Sequence, residues 1–92
     1  MEKITGKTAT GFEYSYDERI LTDWSFVALL GKITDDSKKD TEKLAIMQSL
    51  FSMILGEKQT DDLIDHVRNL NDGFAPIDEV MKEFGEITSR KN

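Results

Sequence analysis

The stretch AIMQSLFSMILGEKQ, residues 45–59, decides how the chain folds. Ile46, Met47, Leu50, Phe51, Met53, Ile54 and Leu55 crowd into its first eleven residues, after which it turns to glycine and charge. At about 100° per residue, Leu44, Met47, Phe51, Ile54 and Leu55 share one face of a helix. Ile46, Leu50 and Met53 fall on an adjoining face, leaving only Gln48, Ser49 and Ser52 for the rest. The apolar arc is roughly 200°, about twice the minimum stripe of a surface helix. Two readings stay open. Either this is the central helix of a small bundle, buried nearly all round, or one flank is a groove for another chain. In the second case Met47 and Phe51 point inward and Ile46 and Met53 outward, methionine being over-used at surfaces that accept varied partners.

Working outward, Gly56 supplies a left-handed C-cap, so the central helix runs from about Asp40 to Leu55. Thr60 is a suitable N-cap for a further helix to Leu70, with Leu63, Ile64, Val67 and Leu70 as its apolar positions. Asn71–Asp72–Gly73 signals a turn. Pro76 suits the first position of a last helix whose stripe is Ile77, Val80, Met81, Phe84 and Ile87. Upstream, Ser37 and Asp40 make a variant of a capping box. Before that, Ile20, Leu21, Trp24, Val27 and Ala28 fall at helical spacing from Asp17 onward, and Gly31 lies near that helix's end. A lone tryptophan on such a face is usually core, with an exposed anchor as the alternative. At the N-terminus Phe12, Tyr14 and Tyr16 alternate with Glu13 and Ser15, the period of a half-buried strand, and Lys3–Ile4–Thr5 offers a hairpin partner. The expectation is a mainly α fold in one domain: a small bundle of about four helices with a short N-terminal β-strand or hairpin. Residues 1–16 are β-like, 17–89 helical, and 90–92 a frayed tail.

Twelve basic residues against eighteen acidic ones give a net charge of −6. Such a surface repels phosphate backbones and argues against nucleic-acid binding. Cysteine is absent, which removes disulfides, thiolate nucleophiles and cysteine-ligated metals. No stretch has the apolar length of a signal peptide core or a membrane span, so the expected location is the cytoplasm.

The search for chemistry is short. His66 stands beside Asp65, but neighbours on a helix point about 100° apart and do not face each other. The expected role is a surface or capping histidine. Asp35–Asp36 and Asp61–Asp62 lack the pattern of a calcium loop and sit where helix starts favour acids. The glycines are scattered, and no phosphate-binding loop is present. The expectation is therefore no enzyme, no cofactor and no metal. Trp24, Ile46, Leu50 and Met53 are the candidate partner contacts.

The order of pieces is more telling than any one of them. GFEYSYDERILTDWSFVALL leads, through a polar gap, to an apolar helix closed by LGEKQ; LIDHVRNLNDG and IDEVMKEFGEI follow. Asp23–Trp24, Gly56–Glu57–Lys58–Gln59, Leu63 with His66–Val67–Arg68, and Asp72–Gly73 carry the pattern. In this the chain resembles the tail assembly chaperones of long-tailed phages and prophages of Gram-positive bacteria. The resemblance implies a non-catalytic protein of the host cytoplasm that binds the helical tape-measure protein and helps recruit tail-tube subunits. It also implies that a longer, frameshifted form accompanies the short one. One departure is Phe74–Asp78, FAPID, where many relatives have a polar segment. A homo-oligomer is expected as well, because an uncovered apolar strip is a liability. The rival expectation is a small acidic phage or bacterial regulator that binds a host protein. That role would align acids on one face, whereas here they gather at helix starts.

Overall fold

The aromatic alternation builds the first element. In the computed structural model, which describes residues 3–35 and 37–89, β1 (Lys3–Lys7) pairs antiparallel with β2 (Glu13–Asp17). Ile4 lies opposite Tyr16 and Gly6 opposite Tyr14. Tyr14 and Tyr16 stack, their ring centroids 6.0 Å apart. The Tyr14 ring lies across Gly6 so closely that a Cβ there would sit 2.5 Å from its hydroxyl, so a larger residue would have to displace the ring. The connecting turn closes through Thr8 and Phe12, each donating its N–H within the pair, to Phe12 O and to Thr8 Oγ1 respectively.

Helix does not begin at Asp17, as the spacing predicts. A short 3-10 turn (Glu18–Thr22) comes first, with Asp17 accepting from the Arg19 N–H and its guanidinium. The Arg19 hydrogen bonds hold the Asp17 carboxyl down at about 2. Asp23 then caps the true helix, α1 (Trp24–Ile33), by accepting from Ser25 N–H. This break resets the phase. Phe26 is buried and Leu29 and Ile33 pack against the core, while Trp24 and Val27, expected on the inward stripe, are exposed.

The capping box expected from Ser37 and Asp40 is not formed. Ser37 instead donates to Asp35, whose carboxyl is held below its ordinary pKa by those bonds, and Glu42 reaches back to the Lys39 N–H. From there α2 runs over Asp40–Leu70. Among the described residues there are therefore three α-helices, not about four: the two central helices expected from the sequence follow each other with no loop between them. They are separated by one residue. Gly56 stands at φ 77° and ψ 170°, a conformation open essentially to glycine alone. The bend is sharp. A straight helix of this length would span about 46 Å, more than the 36 Å longest dimension of the molecule. Thr60 Oγ1 also lies 3.3 Å from Phe51 O, where nine residues of straight helix would set them about 13 Å apart. Thr60 is thus not an N-cap but a brace across the bend, donating also to Gly56 O at 2.7 Å.

The helix ends with Gly73 N–H donating to Arg68 O at 2.8 Å and Asp72 in a left-handed conformation. Pro76 is the N-cap of α3 (Ile77–Thr88), one residue earlier than expected. The tail at 90–92, Asp36 and residues 1–2 lie outside the described residues.

The core sits where the two arms of α2 fold toward each other, closed by α3, α1 and the hairpin. Met47, Leu50, Phe51, Ile54, Leu55, Leu63, Val67, Phe84 and Ile87 are buried there with Phe12, Tyr16 and Phe26. Phe51 meets Phe84 edge-on at 4.6 Å.

Candidate functional site

Two polar clamps hold the hairpin to the helices. The Gln59 side chain accepts from Ser15 N–H at 2.9 Å and donates to Ser15 O at 2.8 Å, pairing with the outer edge of β2 as a third strand would. At the hairpin's tip, Thr10 Oγ1 donates to Glu83 Oε2 at 2.7 Å and lies 3.0 Å from His66 Nε2. With the hydroxyl proton directed to the carboxylate, the His66 contact requires the imidazole to donate. That is not the geometry of a nucleophile and its base, in which the hydroxyl proton points at the histidine. His66 also rests its ring 5.7 Å from Phe12. Tyr16 Oη donates to Ile87 O and Ala9 N–H to Glu86, both on α3.

Glu83 is the polar residue that the sequence reading missed. It is 3% exposed, and its Oε1 has no hydrogen-bond partner among the described residues. The signal was present: Val80, Glu83, Phe84 and Ile87 are spaced i, i+3, i+4, i+7, so residue 83 belongs to the inward stripe. The acid pairs read as helix-start acids behave differently from one another. Asp62 is ion-paired with Lys58 one turn earlier at 3.0 Å, while Asp36 lies outside the described residues. Among the described residues no three histidine, aspartate or glutamate side chains converge on a point that would hold a metal ion.

The candidate contacts part company. Leu50 is fully buried and belongs to the core. Ile46 and Met53 are half-buried against that core. Trp24 is 85% exposed, the opposite of a core tryptophan.

The opening in the wide arc of α2 is instead on the Leu44 side. There Leu44, Met47 and Phe51 from the first arm, Ile64 from the second, and Ile77 and Met81 from α3 line a groove of about 500 Å³. It continues past Leu44 and Met81 to Asp40 and Lys43, and Asp61 and Arg68 flank Ile64 along the wall that the second arm supplies. Ile77 is 60% exposed, and Leu44 and Met81 are also open to solvent. Ile77 and Met81 were expected on the buried stripe of α3, but they lean to one side of it, away from Glu83 and Ile87.

Comparison of the chain with protein-family models, curated proteins and solved structures finds no match. Among the described residues, no helix is long and apolar enough to cross a membrane.

Proposed function

We propose that the protein is a non-catalytic tail assembly chaperone that holds an amphipathic helix of a phage tape-measure protein while tail-tube subunits are recruited in the host cytoplasm. The observation that carries this reading is the groove of Leu44, Met47, Ile77 and Met81, left open on an acidic domain after the core has closed. Its occupant by chemistry is a helix with an apolar stripe, which lays its apolar face into such a groove. The resemblance in the order of Asp23–Trp24, Gly56–Gln59, His66–Arg68 and Asp72–Gly73 supplies the identity of that helix.

Energetics fit a transient hold. Covering the apolar walls releases about 25 cal/mol for each Å² removed from water. Association costs are estimated at about 4–15 kcal/mol, so the surplus is modest and release is possible. The net charge keeps the loaded complex dispersed.

The test is co-purification with the tape-measure protein from a shared expression plasmid. Ile77→Asp and Met81→Asp change exposed side chains, so circular dichroism should match the parent while co-purification is lost. Variants that stay folded and still bind would remove the groove as the contact.

A further inference from the structure

The helix α1 carries two apolar stripes back to back. Phe26, Leu29 and Ile33 serve the core. Trp24, Val27, Ala28 and Gly31, at i, i+3, i+4 and i+7, make a second stripe facing solvent. Of the sequence pieces singled out, most have a task inside this fold: Gly56 bends α2, Gln59 completes the hairpin's edge, His66 meets its tip, and Asp72–Gly73 ends the helix. Asp23 caps α1. Trp24, the largest side chain in the protein, has no internal task at all.

The geometry points to a second copy of this chain as the occupant of that stripe. The stripe is complementary to itself when two copies of α1 pair antiparallel about a two-fold axis between Val27 and Ala28. In that register Trp24 of one copy faces Gly31 of the other, and Val27 faces Ala28. The largest residue meets the one with no side chain, at both ends. No heavy atom lies within 4 Å of where a Cβ on Gly31 would be, so the space for an indole ring is open. The same register brings Asp23 level with Lys32 of the second copy, and opposes the helix dipoles favourably. A parallel pairing fails on each count: Trp24 would meet Trp24, Gly31 would leave a void, and like charges would stand together.

The α1 helix is only ten residues, about 15 Å long. A contact of that size falls below the roughly 1,200 Å² of a stable complex, which makes the dimer weak and concentration-dependent. This pairing is independent of what fills the α2–α3 groove, so either can fail without the other.

Since the chain has no cysteine, introduced ones report cleanly. Analytical ultracentrifugation between about 1 μM and 1 mM, the range of weak association, should show the mass doubling, and Gly31→Gln should remain a monomer with unchanged circular dichroism. Under mild oxidation A28C should cross-link to itself, because the two copies of residue 28 flank the axis. G31C should not, because its copies lie about 10 Å apart along the helix, beyond disulfide reach. A monomer throughout the range overturns the proposal. So does cross-linking of G31C as readily as A28C, or a Gly31→Gln variant that still dimerises.

Discussion

Replacing Gly56 with alanine isolates the device on which the fold turns. Nothing lies within 4 Å of the position a Cβ would take, so the substitution meets no steric obstacle from the rest of the molecule. Its cost is confined to the backbone. At φ 77° and ψ 170° an alanine is strained by about 1–3 kcal/mol. Against this, alanine lowers the entropy of the unfolded chain, which returns about 0.4–1 kcal/mol. The net destabilisation therefore centres on about 1 kcal/mol and reaches about 2.5 kcal/mol, and each kcal/mol shifts Tm by about 4–8 °C for a domain of this size. The control is Gly85→Ala. Gly85 is exposed inside α3, also with nothing within 4 Å, but its backbone is helical. There alanine should stabilise by about 0.5–1 kcal/mol. Urea unfolding of the two variants and the parent, with a common slope, should move the midpoint in opposite directions. If Gly56→Ala is as stable as the parent or more so, the bend is not held by a glycine-only conformation, and the account of α2 is wrong.

Removing the Gln59 clamp by Gln59→Leu strands the N–H and C=O of Ser15 at the sheet edge, at a cost of about 1–3 kcal/mol; hydrogen exchange at the Ser15 amide should quicken, and an unchanged rate would show the clamp to be idle. For Asp17, the folded pKa of about 2 lies below the ordinary 3.8. The charged form therefore favours the fold: this contribution is complete above about pH 4 and is lost as pH falls from 3.8 through about 2. An NMR titration of the Asp17 carboxyl should show that low midpoint in the parent and a return toward 3.8 in Arg19→Gln, and equal midpoints in the two proteins would refute the role given to Arg19.

Where local chemistry alone sets an element, the sequence was readable. The alternation of Phe12, Tyr14 and Tyr16 marks a strand because a strand turns every second residue to the same side. The Asn71–Gly73 turn is legible because few other residues accept that backbone. The α1 helix was mis-phased for a physical reason. Counting its period from Asp17 passes through a 3-10 turn and the Asp23 cap, neither of which advances at about 100° per residue. With apolar residues on both sides, α1 offers no contrast by which to correct the phase, and so its spacing leaves Trp24 open between core residue and exposed anchor. Gly56 was recognised as a positive-φ position, but a helix end and a one-residue bend demand the same residue. What separates them is whether the chain resumes helix at once, which Thr60 makes possible by bonding back to Gly56 and Phe51. The groove was hidden because Leu44, Ile77 and Met81 are spaced as core residues; only the angle between packed helices leaves them uncovered.

The clamps on the hairpin have a bearing on how the chain completes itself. A two-stranded hairpin is at best marginally stable in water by itself. Here its outer edge is finished by residue 59, its tip is held by residues 66 and 83, and Tyr16 and Ala9 bond to residues 87 and 86. The strands thus have anchors in α3, some seventy residues further along the chain. A nascent chain that stops short of α3 has the strands without the residues that hold them, and the arms of α2 without Phe84 between them and solvent. Folding is in this sense closed by α3, and a copy interrupted before it presents its apolar arms instead of a finished surface.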